Sequence, residues 1–178
     1  AQPAPAKRSA EGSYADIANT LLLEAEGCSN YTVMLYCAQP HGSTARSVFQ
    51  LARAAARAGA TVLLVDAEPE AGLTRQASAS GLPGLLDAVS LHRVEADFIG
   101  PSGTRGLWLM PAGRRSPRVS TKRGLDGGTL VNWLEESGST FDLVIVHAGR
   151  YDQHKPLAAV EAGADRFAVL GNRFGRKG

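Results

Sequence analysis

The chain has 178 residues, 44% hydrophobic and 20% charged, with a formal net charge of +2 and two cysteines. That is enough chain for one sizeable core, and the near-neutral balance excludes any electrostatic demand for nucleic acid or an anionic membrane. No apolar run is long enough to cross a bilayer or form a secretory core, and Cys28 and Cys37 suggest neither a disulfide framework nor a metal-ligand spacing, which fits reduced thiols.

The Pro/Ala-rich opening, with residues 1–12 taken together, reads as a flexible linker before a single α/β domain over 13–178. Ser13 to Glu26 has apolar residues at Tyr14, Ile17, Leu21 and Leu22, a helical spacing that Gly27 is placed to stop. Tyr31 to Cys37 is a short run of β-formers followed by a turn at Gln39-Pro-His-Gly42. Thr44 to Ala58 is an Ala-rich helix with Val48, Leu51 and Ala55 on one face, ended by Gly59. Thr61 to Val65 shows no polar alternation, as expected of a strand covered on both faces.

Leu82 to Val89 is predicted as a short helix, and Leu107 to Met110 as a strand ending at Pro111-Ala-Gly113. The basic stretch from Arg114 to Gly124 reads as a loop, and the basic end from Arg173 to Lys177 as a solvated tail. Leu125 to Glu136 is a helix with Leu130, Trp133 and Leu134 inward, and Phe141 to Val146 a buried strand. A helical segment at Pro156 to Ala162 and a strand at Arg166 to Leu170 close the pattern. Regular alternation of strand and helix predicts a mainly parallel sheet with helices on both faces. Ligands of such folds sit beyond the carboxyl ends of the strands, so the informative positions follow Cys37, Val65 and Val146.

After the first strand comes Ala38-Gln-Pro-His-Gly-Ser-Thr-Ala-Arg-Ser47, and before the second strand's end comes Gly59-Ala-Thr-Val-Leu-Leu-Val-Asp-Ala-Glu68. Together with Gly81-Leu-Pro-Gly-Leu-Leu-Asp87, Leu107-Trp-Leu-Met-Pro-Ala-Gly113 and Phe141-Asp-Leu-Val-Ile-Val146, this order resembles the cytoplasmic kinase domains of bacterial tyrosine kinases that control polysaccharide chain length and export. That family lies within the MinD/ParA-like P-loop ATPases, and the resemblance implies their architecture. The family's phosphate loop runs roughly Ala-Thr-Pro-Gly-Glu-Gly-Lys-Ser-Thr. Counted without gaps, Pro40 falls on its proline, Ser43 on its second glycine, Thr44 on its lysine and Ala45 on its metal-binding serine.

The departures are chemical. Thr44 brings no cation to phosphate and Ala45 no hydroxyl to magnesium, while His147 stands where the family's Walker B aspartate is implied. Asp66 matches the family's second acidic motif, with Glu68 two positions on. The resemblance therefore implies a degenerate nucleotide loop at Gly42, Ser43, Thr44, Ala45 and Arg46, and vestigial catalytic positions at Asp66, Glu68 and His147. Phosphoryl transfer depends on positioning and electrostatics, so losing three contacts together argues for a pseudokinase or pseudo-ATPase. Arg46 reads as a solvent-facing helix residue. Ser43, Thr44 and Ser47 leave room for weak ATP or ADP binding at the helix start. No cofactor is required on this reading and Mg2+ is not expected. His41 and His147 offer two ligands and no third is evident, so no metal site is assigned.

The family's tyrosine-rich tail is not matched, the last tyrosine being Tyr151, and Ser13-Tyr14-Ala15 keeps only the tyrosine of its Glu-x-Tyr-Arg oligomerisation signature. The expected role is an inactive or strongly impaired kinase-like regulatory domain in bacterial exopolysaccharide (capsule- or holdfast-type) synthesis and export. Its expected partner is a membrane chain-length or export protein or its own kind, with no nucleic acid and no membrane insertion. The expected location is cytoplasmic, peripheral at the inner membrane. The alternatives are a ParA-like localisation factor for a polar secretion or pilus machine, and a slow ATPase or autokinase with a non-standard nucleotide site.

Overall fold

The computed structural model describes residues 10–37, 44–68, 70–114, 127–150 and 164–170. In chain order these form α1 (Ala10–Ala25), β1 (Tyr31–Cys37), α2 (Thr44–Arg57), β2 (Val62–Asp66), α3 (Gly72–Gln76) and α4 (Leu85–Leu91). A 3-10 turn at Ala96–Phe98 leads to β3 (Gly100–Pro101), β4 (Leu107–Met110), α5 (Gly127–Glu136), β5 (Leu143–Arg150) and β6 (Arg166–Leu170). The six strands lie in the order β3-β4-β2-β5-β1-β6. Every neighbouring pair is parallel except β3 with β4. The mainly parallel α/β sheet read from the sequence is therefore present, with the short β3 added as an antiparallel edge.

Helices cover both faces because every central strand is apolar on both. Val33, Leu35, Val62, Leu64, Leu143 and Ile145 pack with α1 and α2 on one side. Met34, Leu63, Val65, Val144 and Val146 pack with α4 and α5 on the other. On α2 the buried set Val48, Leu51, Ala52 and Ala55 recurs at helical spacing, as expected. Gly59, with φ of +103°, supplies the left-handed step that ends this segment. Leu130, Trp133 and Leu134 of α5 are inward as read from the sequence.

Three elements, α1, α4 and β5, differ from expectation by more than one residue. α1 starts at Ala10, three residues before Ser13, and its inner stripe is Ala18, Leu21 and Ala25. Ile17, assigned to that stripe from its apolar character, is 43% exposed because small Ala18 takes the place against the sheet. α4 is shifted to Leu85–Leu91: Pro111 and Ala112 carbonyls accept the Leu85 and Leu86 N–H groups and so fix its first turn there. β5 begins at Leu143 and runs on to Arg150, past the predicted end at Val146, because β1 and β2 flank it and supply hydrogen-bond partners. Helix α5 is described from Gly127, and its predicted start at Leu125 lies outside the described residues. The predicted loop beyond Arg114 and the predicted helix at Pro156 to Ala162 lie outside the described residues.

Candidate functional site

The strand order sets the site. β1 leads through α2 to β2, but β5 is inserted between those two strands, so the carboxyl ends of β2 and β5 meet at the centre of the sheet. Asp66, the last residue of β2, is the register partner of His147. Side chains alternate between the faces of a strand. Asp66 therefore falls on the face of Val62 and Leu64, and His147 on that of Leu143 and Ile145, the same side as α2 and α3. Beyond His147 the β1–β5 register skips from Leu35–His147 to Tyr36–Gly149, leaving Ala148 as an extra residue. A bulge of this kind bends a strand and re-aims the side chains beside it.

Asp66 and His147 are both 0% exposed, and the Glu68 side chain is 18% exposed. Asp66 is held through one oxygen. Its Oδ2 accepts from Thr74 Oγ1 at 2.6 Å and from Thr74 N at 2.8 Å. The Thr74 hydroxyl in turn accepts from Ala112 N at 2.8 Å, joining β2, α3 and the segment after β4. The other oxygen, Oδ1, accepts a long 3.3 Å hydrogen bond from Glu68 N and faces His147 Nδ1 at 3.8 Å. Glu68 Oε2 accepts from Gly72 N at 3.0 Å and lies 3.7 Å from the same imidazole nitrogen.

Gly72 is a glycine for steric reasons: a Cβ there would come 2.5 Å from Glu68 Oε2 and 3.3 Å from the Ala45 methyl. Ala45 is thus buried on α2 beside the acidic pair, while Thr44 is half-buried and Arg46 exposed, as expected of a solvent-facing arginine. Gly42, Ser43 and His41 lie outside the described residues.

The structure brings Asp66, Glu68 and His147 together, with Ala45 at their edge. Their ligand atoms lie within 4.8 Å of one another. His147 is joined here by Asp66 and Glu68, the latter brought in by the turn between β2 and α3, whereas His41, the histidine weighed beside it from the sequence, lies outside the described residues. Thr74 and Gly72 carry no signal in the sequence, because α3 has only five residues and offers no periodicity to read.

A magnesium–nucleotide pair of the kind this fold family holds does not fit these residues. Mg2+ favours near-octahedral oxygen coordination and usually bridges to phosphate. Here the central strand offers an imidazole nitrogen beside the two carboxylates, and Ala45 offers a methyl in place of a hydroxyl.

No protein-family model and no curated protein matches the chain. Solved structures do. The kinase domain of Escherichia coli tyrosine kinase ETK matches with a TM-score of 0.74 at 20% identity, over 93% of this chain and 64% of that one. The chimerical protein CapA2B2 matches at 0.69 and 14% identity, over 98% of this chain and 74% of the other. The septum site-determining protein MinD from Pyrococcus horikoshii, solved with Mg-ADP, matches at 0.62 and 12% identity, covering 79% of this chain and 57% of MinD. The chain thus spans under two thirds of ETK and MinD. At these identities the likeness shows the fold alone: the chain has the α/β fold seen in the ETK kinase domain and in MinD.

Proposed function

We propose that this domain is a kinase-like regulatory module of bacterial exopolysaccharide synthesis and export in which phosphoryl transfer is lost or strongly impaired. The observation that carries this reading is the buried pairing of His147 with Asp66 at the central strand ends. Where the sequence resemblance calls for a second magnesium-binding carboxylate, the fold holds an imidazole. Ala45 removes the neighbouring hydroxyl. Catalysis of phosphoryl transfer comes from charge placement, and each of these changes removes part of that placement.

On this reading the domain works through its surfaces, against a membrane chain-length or export protein or a second copy of itself. Among the described residues no helix is long and apolar enough to cross a membrane. Calorimetry with Mg-ATP tests the reading. No saturable binding is expected up to about 1 mM nucleotide, and micromolar affinity would overturn it in favour of a slow ATPase or autokinase with a non-standard site. The overlap with MinD supports a second reading, a ParA-like localisation factor. Genes for glycosyltransferases and an outer-membrane export protein beside this one favour the first role; pilus genes favour the second.

A further inference from the structure

Asp66, Glu68 and His147 are too well converged to be read only as remnants of a nucleotide site. We propose that they bind a divalent transition-metal ion of the zinc class, in preference to magnesium and without nucleotide. Three features carry this.

The first is spacing. His147 Nδ1 stands nearly equidistant from Asp66 Oδ1 and Glu68 Oε2, at 3.8 and 3.7 Å. A charge-assisted hydrogen bond would draw the imidazole to one carboxylate at about 2.7–2.9 Å. Ligands about 2.0–2.2 Å from a tetrahedral zinc ion are separated by roughly 3.3–3.6 Å, close to the observed edges. Glu68, the half-buried member, needs only a small swing to close the triangle.

The second is charge. Asp66 is fully buried and Glu68 mostly so, and among the described residues neither has a lysine or arginine within ion-pair distance. Two carboxylates that close together in a site of low dielectric need positive charge. A divalent ion supplies it at the point where all three ligand atoms face.

The third is support around the ligands. Thr74 holds Asp66 by its outer oxygen and leaves Oδ1 directed inward, and Gly72 N orients Glu68 over a backbone position that a Cβ would obstruct. Outer contacts of this kind fix ligand orientation in metal centres. A donor set of one imidazole and two carboxylates selects a borderline ion over magnesium, since imidazole suits zinc and its neighbours in the transition series. The ion would tie the end of β2 to β5 and to the turn before α3.

The test is titration of the whole chain with ZnCl2 and, separately, MgCl2, with no nucleotide present. Cys28 and His92 are exposed and are replaced by Ser and Gln to remove surface zinc ligands. One zinc equivalent should bind at least about 100-fold more tightly than magnesium. Glu68→Gln should weaken zinc binding by about 10–100-fold while the far-ultraviolet circular dichroism is unchanged, and should abolish the visible absorption of bound Co2+. His147→Gln should do the same, and Glu68→Gln decides the matter if that buried change prevents folding. Zinc bound no more tightly than magnesium, or affinity unaltered by Glu68→Gln, overturns the proposal. Because nucleotide is absent, this outcome is independent of the Mg-ATP calorimetry, and either can fail alone.

Discussion

The two ends of the sheet use polar residues in opposite ways. At the amino ends three of the parallel strands, β1, β5 and β6, are preceded by a polar residue bonded to backbone. Asn30 Oδ1 accepts from Phe141 N at 2.9 Å, Asp142 Oδ2 from Thr61 N at 2.7 Å, and Asp165 Oδ2 from Thr32 N at 2.7 Å. These are staples that fix where each strand starts, and their geometry is complete within the chain. At the carboxyl ends Asp66 is anchored mainly through Oδ2, while Oδ1 takes one long 3.3 Å bond from Glu68 N and, with Glu68 Oε2, faces His147 beyond hydrogen-bond length. Polar groups at the first end complete the fold; those at the second end leave charge gathered in one place, as sites built for a ligand do.

Thr74→Val should have the largest effect and tests whether the carboxyl end is also tied into stability. The change keeps shape but removes the hydroxyl that donates to Asp66 and accepts from Ala112 N. A buried carboxylate and a buried N–H then each lose a partner, for a destabilisation of about 3 kcal/mol in urea unfolding. Thr74→Ser should recover most of it. If Thr74→Val is neutral, the anchoring of Asp66 is incidental and the contrast between the two ends weakens.

Asn30→Ala should cost less, about 2 kcal/mol, from the lost acceptor for Phe141 N and from a left-handed φ of +54° that alanine tolerates poorly. Zinc affinity should not change. A staple variant that altered metal binding would show that the two ends are coupled through the strands.

Much of this arrangement is legible in the sequence, and the reason differs by element. β1, β2 and β5 show as unbroken apolar runs because they are buried on both faces. Asp66 and His147 were found by position, as the residues after Val65 and Val146. What was hidden was their mutual register, which depends on β5 entering between β1 and β2, a long-range fact. Thr74 and Gly72 were hidden because their roles come from a turn and a five-residue helix that bring Glu68 back over the backbone. Ile17 has the apolar character of an inward residue, yet it is the smaller Ala18 that fits the packed face of α1. The strand through His147-Ala-Gly149 was cut short because small residues carry little β signal, while the flanking strands supply the hydrogen bonds regardless.

The smallest expected effect is also the one that bears most directly on the carboxyl end. Changing Thr44 to Lys and Ala45 to Ser would supply the cation and hydroxyl that the resemblance calls for. Ala45 is buried against Gly72, whose amide binds Glu68, so the new hydroxyl would be added next to that turn. The double variant should nonetheless show no gain in autophosphorylation or ATP hydrolysis with magnesium, because His147 still gives the central strand a nitrogen ligand in place of a carboxylate. Adding His147→Asp to that background isolates the point: activity that appears only in the triple variant assigns the block to His147. Activity already present in the double variant would mean that magnesium tolerates the imidazole, and that the loss lay in the loop alone.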